Sequence, residues 1–114
     1  MLKSGELWYY RTENAVIADI ASSQAVVVHL MSFNHLHLTN TQFIHIFNTA
    51  TIPNNGARPL VELQVSPEGM ASYTPALGGR KFDKGVVVVL SSTPAKLTKV
   101  LTADLTYQAE GIAA

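Results

Sequence analysis

Hydrophobic and polar residues alternate along most of the chain, with a period of two from Ala15 onward. Successive side chains of a β-strand point to opposite faces of a sheet, so this alternation predicts strands that are buried on one face. The segments with this pattern are residues 35–39, 42–47, 60–65 and 101–109, and residues 15–20 and 25–31 are predicted as strands because they are rich in β-branched residues. No window of a dozen residues carries the i, i+3, i+4, i+7 apolar spacing of an amphipathic helix.

The run Val-Val-Val-Val-Leu at residues 86–90 breaks the alternation. Because every side chain in it is apolar, we expect this strand to be covered on both faces. Turn residues separate the strands at 53–56 (Pro-Asn-Asn-Gly), at 67–69 (Pro-Glu-Gly) and in a glycine-punctuated loop at 78–85.

About seven or eight short strands between such turns predict an all-β protein, built as a single antiparallel β-sandwich of jelly-roll type. The expected organisation is an N-terminal aromatic arm, residues 1–14, followed by the β-sandwich domain, residues 15–114.

The composition narrows the class of protein further. The chain has 114 residues, enough for one domain, of which 47% are hydrophobic and only 14% charged. The formal net charge is zero, so we expect neither nucleic acid nor a membrane surface as a partner. The absence of cysteine excludes disulfide scaffolds and thiol nucleophiles. No apolar run approaches the roughly 20 residues of a membrane span, and residues 1–6 lack the apolar stretch of a signal peptide.

The histidines are the first candidates for chemistry. His35 and His37 are two residues apart on a predicted strand, so both should point to one face, where a metal ion could meet them. Cupins, which are small β-barrels, hold a metal with a His-x-His pair and a nearby glutamate. Here no Asp or Glu occurs between Asp19 and Glu62. A cupin-like metal-binding protein therefore stays a remote alternative, and we expect no metal and no other cofactor.

Other catalytic patterns are missing as well. The Ser-Ser-Thr-Pro stretch at residues 91–94 lacks the G-x-S-x-G context of a nucleophile, and its proline is typical of the end of a strand. The glycine pair at 78–79 is not followed by the Gly-Lys-Ser/Thr of a phosphate-binding loop. We therefore expect a protein that is not an enzyme.

The segment Leu7-Trp8-Tyr9-Tyr10-Arg11 holds the only tryptophan and two of the four tyrosines. Clustered Trp, Tyr and Arg are typical of interface hot spots, because each ring buries a large area and keeps a polar group. We therefore name these five residues as a candidate partner interface. The alternative is an ordinary strand with Trp8 and Tyr10 on one face and Tyr9 on the other. A clamp-like arm should also be removable, through residue 11, without unfolding the domain.

The only cluster of basic residues is Arg80, Lys81 and Lys84, interrupted by Asp83. Cations on a loop are usually a solvated tip, and a contact with an acidic protein surface is the alternative. These three residues are named as secondary loop contacts.

An ordered series of segments resembles small β-sandwich virion proteins of tailed bacteriophages, either capsid decoration (cement) or fibre-type proteins. A strand at residues 43–50 ends in Phe-Asn-Thr, and the Pro-x-x-Gly turn at 53–56 is followed by a second proline. A Gly-x-x-Phe-x-x-Gly-Val pattern at 79–86 then leads into a strand that ends in Ser-Ser-Thr. Residues 1–24 lie outside the resemblance.

The resemblance implies a non-enzymatic structural protein of the virion, assembled in the host cytoplasm and located on the capsid surface. As a decoration protein it would contact the major capsid protein and its own copies, as a homotrimer, and the aromatic arm would be the clamp. The alternative is a fibre or receptor-binding module that recognises a host glycan, which is typically built with exposed aromatics on long loops. The short loops favour decoration.

Overall fold

The computed structural model describes residues 1–114 and consists of nine strands in two antiparallel sheets. The strands are β1 (Leu7–Arg11), β2 (Ala18–Ser22), β3 (Val26–His35), β4 (Gln42–Phe47), β5 (Val61–Val65), β6 (Met70–Tyr73), β7 (Arg80–Phe82), β8 (Val86–Ser91) and β9 (Leu105–Ala113). The predicted fold class, an all-β single sandwich, is confirmed. The chain forms no helix that is long and apolar enough to cross a membrane.

Sheet A has the strand order β1-β9-β3-β6, with the short β7 also paired to β3, and sheet B has the order β2-β8-β4-β5. Strands of the first half of the chain pair with strands of the second half: β1 with β9, β2 with β8, β3 with β6 and β7, and β4 with β5. The chain is therefore one long antiparallel hairpin rolled into two layers, which is the arrangement of a jelly roll.

Several strand boundaries differ from the sequence pattern. Strands β2 and β9 begin a few residues later than predicted, and the short strands β6 and β7 were not predicted at all. The predicted strand at 35–39 is wrong, because β3 ends at His35 and a turn follows. In that turn the Nδ1 atom of His37 accepts hydrogen bonds from the backbone N–H groups of Thr39 and Asn40, at 3.2 and 3.1 Å. A side chain that bonds its own backbone in this way competes with strand formation.

The main hydrophobic core lies between the two sheets. Its fully buried side chains include Phe33, Phe82, Ile44 and Leu105, and Phe33 stacks on Tyr107 with the ring centroids 5.5 Å apart. Alternate residues of β3 and β9 supply sheet A's half of this core, which matches the period of two in both strands.

A second, smaller cluster covers the outer face of sheet B. All six residues of β8 are buried, which confirms that this strand is covered on both faces. On the outer side Val87 and Val89 pack with Phe47 and with Leu97 from the β8–β9 loop. Burying a side chain of this size stabilises the fold by about 1.5–3 kcal/mol.

Hydrogen bonds fasten this loop to sheet B. The carboxylate of Glu62 accepts bonds from the backbone N–H of Ala95 at 2.7 Å and pairs with Nε2 of His45 at 2.9 Å. His45 is completely buried beneath the loop, and its Nδ1 atom has no partner. Burial lowers the pKa of His45 below its usual value, although the Glu62 carboxylate acts in the opposite direction.

Gly85 immediately precedes β8 and allows the chain to pass close to its neighbours there. Its φ angle is 145°, and a Cβ atom there would lie 2.5 Å from the carbonyl oxygen of Ser22 and 2.8 Å from that of Thr49. Only glycine fits such a close approach at a positive φ. The following strand can therefore run directly between its neighbours.

Candidate interaction surface

The segment at residues 7–11 is the edge strand β1 of sheet A, not a separate arm. Trp8 is only 6% exposed and belongs to the main core. It lies opposite Gly111 of β9, where a Cβ atom would overlap the carbonyl oxygen of Val27. Removing residues 1–11 would therefore open the core, which contradicts the expectation that an arm could be cut away.

Tyr10 also points inward, toward sheet B. Its hydroxyl donates to Asp19 Oδ2 at 2.6 Å, and the hydroxyl of Tyr107 donates to the same oxygen at 2.9 Å. Burial and the Asp19 carboxylate raise the pKa of Tyr10 to about 12, and burial first, then Asp19, raises the pKa of Tyr107. Two phenols thus hold one carboxylate and join β1 and β9 to β2 at this side of the sandwich.

The part of β1 that faces solvent consists of Leu7, Tyr9 and Arg11. Leu7 is 84% exposed and Tyr9 60%, and the hydroxyl of Tyr9 lies 3.2 Å from Oε1 of Gln108. Of the five residues predicted to contact a partner, these three are accessible, whereas Trp8 is buried and Tyr10 is engaged with Asp19. The alternative given above, an ordinary strand with Trp8 and Tyr10 on one face, therefore describes this segment.

These three residues begin cross-strand rows that extend over the outer face of sheet A. We call this surface the open face, and its members from β1, β9, β3, β6 and β7 are Leu7, Tyr9, Arg11, Thr106, Gln108, Glu110, Ile112, Val27, Leu30, Ser32, Asn34, Met70, Ser72 and Lys81. No loop packs a buried cluster onto it, since both hydrophobic clusters of the molecule lie elsewhere. Met70 is 80% exposed at the edge opposite β1.

One row connects the two groups of residues that the sequence singled out. Leu7 pairs with Ile112, Ile112 with Val27, and Val27 with Lys81. Three strand spacings of about 4.8 Å separate Leu7 from Lys81, or about 14 Å. The open face therefore has an aliphatic row with a cation at its far end.

The other basic residues lie at the edge of this face. Arg80 belongs to β7 and is exposed, but its register opposite Val28 places it on the side of the core. Lys84 follows in the β7–β8 turn, where its backbone N–H donates to Oδ1 of Asn48 at 2.9 Å. The side-chain amide of Asn48 also donates to Asp83, which lowers the pKa of that carboxyl. Only Lys81 of the three predicted cations is on the open face.

A shallow polar groove lies on the open face, at the C-terminal end of β1. It is lined mainly by hydroxyl, amide and charged side chains, those of Arg11, Thr12, Glu13, Ser32, Asn34, Thr106 and Gln108. The open face therefore combines an apolar row with a polar area beside it, and protein interfaces contain both kinds of surface.

The histidines do not form the site that a cupin-like protein requires. Both ring nitrogens of His35 are engaged, Nδ1 with the carbonyl of Ser66 and Nε2 with Oε1 of Gln42, each at 2.8 Å. His37 lies in the turn after β3, with its ring stacked 6.2 Å from that of His35. His45 lies on the outer side of sheet B, and no three His, Asp or Glu side chains come together in a metal-binding group. The two imidazoles thus share a location but have no common open coordination position.

Comparisons with known proteins do not assign a function to this chain. No protein-family model matches the chain, and neither a curated protein nor a solved structure matches it. The similarity to phage virion proteins described above therefore remains a prediction, and the open face is the surface on which a functional proposal can be based.

Proposed function

We propose that this protein is a non-enzymatic structural protein of a bacteriophage virion, a capsid decoration (cement) protein that binds the major capsid protein through its open face. The observation that carries the proposal is the contrast between the two outer surfaces. The middle of sheet B is covered by the β8–β9 loop, whereas sheet A exposes Leu7, Tyr9 and Met70. Exposed apolar side chains with a polar margin mark a protein contact.

The resemblance of residues 43–98 to small virion proteins supports the proposal at the level of sequence. The rolled-hairpin fold supports it at the level of analogy, because jelly rolls recur in viral capsid proteins. A capsid lattice offers many equivalent sites, so a face of modest size gives firm attachment when neighbouring contacts act together.

The fibre or receptor-binding alternative would be favoured by aromatic side chains on loops. In this chain every aromatic residue lies in a strand, and Tyr9 is the strongly exposed one. The structure therefore adds no observation in favour of that alternative, and the decoration role is the one argued here.

The test is co-sedimentation of the purified chain with capsids assembled from the major capsid protein of the same genome. We expect saturable binding in a fixed ratio to the capsid subunits. The double variant Leu7→Ser, Met70→Ser removes the two most exposed apolar side chains of the open face, and it should weaken binding by about tenfold or more.

The matched control is Leu38→Ser, Leu101→Ser, which removes two similarly exposed leucines from loops outside the open face. It should bind like the wild type. Absence of binding to capsids would refute the decoration role, and equal weakening by both double variants would refute the open face as the contact. Binding to host cells instead of capsids would favour the fibre alternative.

A further inference from the structure

Strand β1 has a backbone edge with no partner. Its one neighbour in the sheet is β9, to which Glu6 is bonded through its carbonyl at 2.8 Å and Thr12 through its N–H at 3.0 Å. Residues of an antiparallel strand bond alternately to one side and the other. The N–H and C=O groups of Leu7, Tyr9 and Arg11 therefore point away from β9, and no turn or loop hydrogen bond uses them.

The other sheet edges carry features that discourage pairing, whereas β1 has only the charge of Arg11 at its end. Strand β2 contains a bulge between Ile20 and Ser22. Strands β6 and β7 are only four and three residues long. Strand β5 lies between Pro59 and Pro67 and carries a carboxylate. Proteins use such features to prevent edge-to-edge association. Strand β1 is regular and largely uncharged, so its edge is available for pairing with another strand.

The charges next to β1 favour a second copy in antiparallel orientation. Lys3 and Glu6 precede the strand, and Arg11 and Glu13 occur at its other end, all of them exposed. Antiparallel pairing places the end of β1 that carries Arg11 beside the end of the second strand that follows Glu6, and it keeps the two Arg11 side chains apart on the open face. Parallel pairing would place like charges side by side. The formal net charge is zero, so two copies do not repel each other through their overall charge.

We propose that β1 pairs antiparallel with β1 of a second copy about a two-fold axis at Tyr9, joining the two A sheets into one continuous sheet. In this register Tyr9 lies opposite Tyr9 of the second copy, and Leu7 lies opposite its Arg11. All outward backbone groups of both strands then have partners, and both open faces lie on the same side of the joined sheet. This two-fold pair takes the place of the homotrimer that the resemblance implies. It depends on the strand edge alone and not on the proposed function.

The first experiment compares Tyr9→Pro with Tyr9→Val in the full chain by sedimentation velocity at micromolar to millimolar concentration. Proline removes the outward N–H that the second copy needs, and an edge strand tolerates it because that N–H bonds nothing in β9. Valine keeps the N–H and favours the strand. We expect twice the mass of the chain for the wild type and the valine variant, and a dimer weakened about tenfold or more for the proline variant. Circular dichroism shows whether the variants keep the β fold.

The second experiment uses the absence of cysteine in the chain. Tyr9→Cys places two thiols across the two-fold axis, where opposed Cα atoms at about 5.5 Å are within disulfide range. Ser72→Cys, on β6 at the opposite edge of the same sheet, is the control. Under mild oxidation we expect Tyr9→Cys to form a covalent dimer at least about tenfold faster. A monomeric wild type, a trimer that Tyr9→Pro leaves intact, or equal cross-linking of the two cysteine variants would overturn the proposal.

Discussion

The two outer surfaces of the sandwich differ although both sheets come from the same rolled hairpin. On sheet B the inner strand β8 is apolar from Val86 to Leu90 and buried throughout, and the β8–β9 loop covers it with Leu97. On sheet A the central strand β9 alternates buried with exposed or half-buried residues, and its outer side stays open. The number of apolar residues in an inner strand thus distinguishes a surface that the chain itself covers from one that stays exposed.

The largest expected effect separates the two sides of β1. Trp8→Ala should lower the free energy of unfolding by about 3–5 kcal/mol, because it leaves a cavity in the main core. Tyr9→Ala, one residue further on the open side, should change it by about 0.5 kcal/mol or less. Urea denaturation with the fluorescence of a tyrosine or the far-ultraviolet signal measures both. Equal losses would mean that β1 is held by both faces.

The next prediction tests whether the cover over sheet B is a true core. Leu97→Ala should destabilise the fold by about 2–5 kcal/mol, since Leu97 is 1% exposed against Phe47 and two valines of β8. Leu77→Ala, a fully exposed leucine in the β6–β7 connection, is the matched control and should be nearly neutral. Thermal unfolding of both variants decides. A loss at Leu97 no larger than that at Leu77 would show that the loop lies on sheet B without stabilising it.

A smaller effect depends on pH and on His45. Its folded-state pKa is lowered below the unfolded value near 6.5, so the unfolded chain takes up this proton first as the pH falls. The stability contribution is therefore present above about pH 6.5 and is lost below it. Between pH 7.5 and 5.5 the wild type should lose about 1 kcal/mol more than His45→Gln. Urea midpoints at the two pH values measure the difference, and parallel losses in both proteins would contradict it.

The smallest effect is expected at the far end of the aliphatic row. Lys81→Ala should leave the free energy of unfolding within about 0.5 kcal/mol of wild type, because Lys81 is exposed and forms no ion pair. Differential scanning calorimetry is sensitive enough to check it. A clear loss would show that the open face is more tightly packed at that edge than its exposure indicates.

Local pattern was sufficient where one face of a strand meets the core. It predicted the strands around residues 42–47 and 60–65, and the two-sided burial of residues 86–90. It failed at residues 35–39, where alternation was accompanied by a turn closed by His37, and at β6 and β7, which are too short to show a period. Alternation over a few residues does not distinguish a strand from a turn when a side chain of the segment forms hydrogen bonds with its own backbone.

The site was predictable only in part, because exposure depends on distant pairing. Which face of β1 is buried follows from its register against β9, where Trp8 lies opposite Gly111. Nothing near residue 8 reveals that glycine. The joining of Leu7 to Lys81 in one row is likewise a property of four strands together, and neither the aromatic segment nor the basic loop contains it alone.

The pairing of β1 with β9 also has a consequence for the order of folding. Leu7 lies opposite Ile112, so the ribosome releases one strand of this pair long before the other. During synthesis Trp8 cannot be buried until β9, the strand that pairs with β1, has left the ribosome. Closing the long loop between β1 and β9 is slow, and the sandwich should reach its native state only after translation of β9. Until then the exposed indole is the kind of apolar surface that chaperones bind.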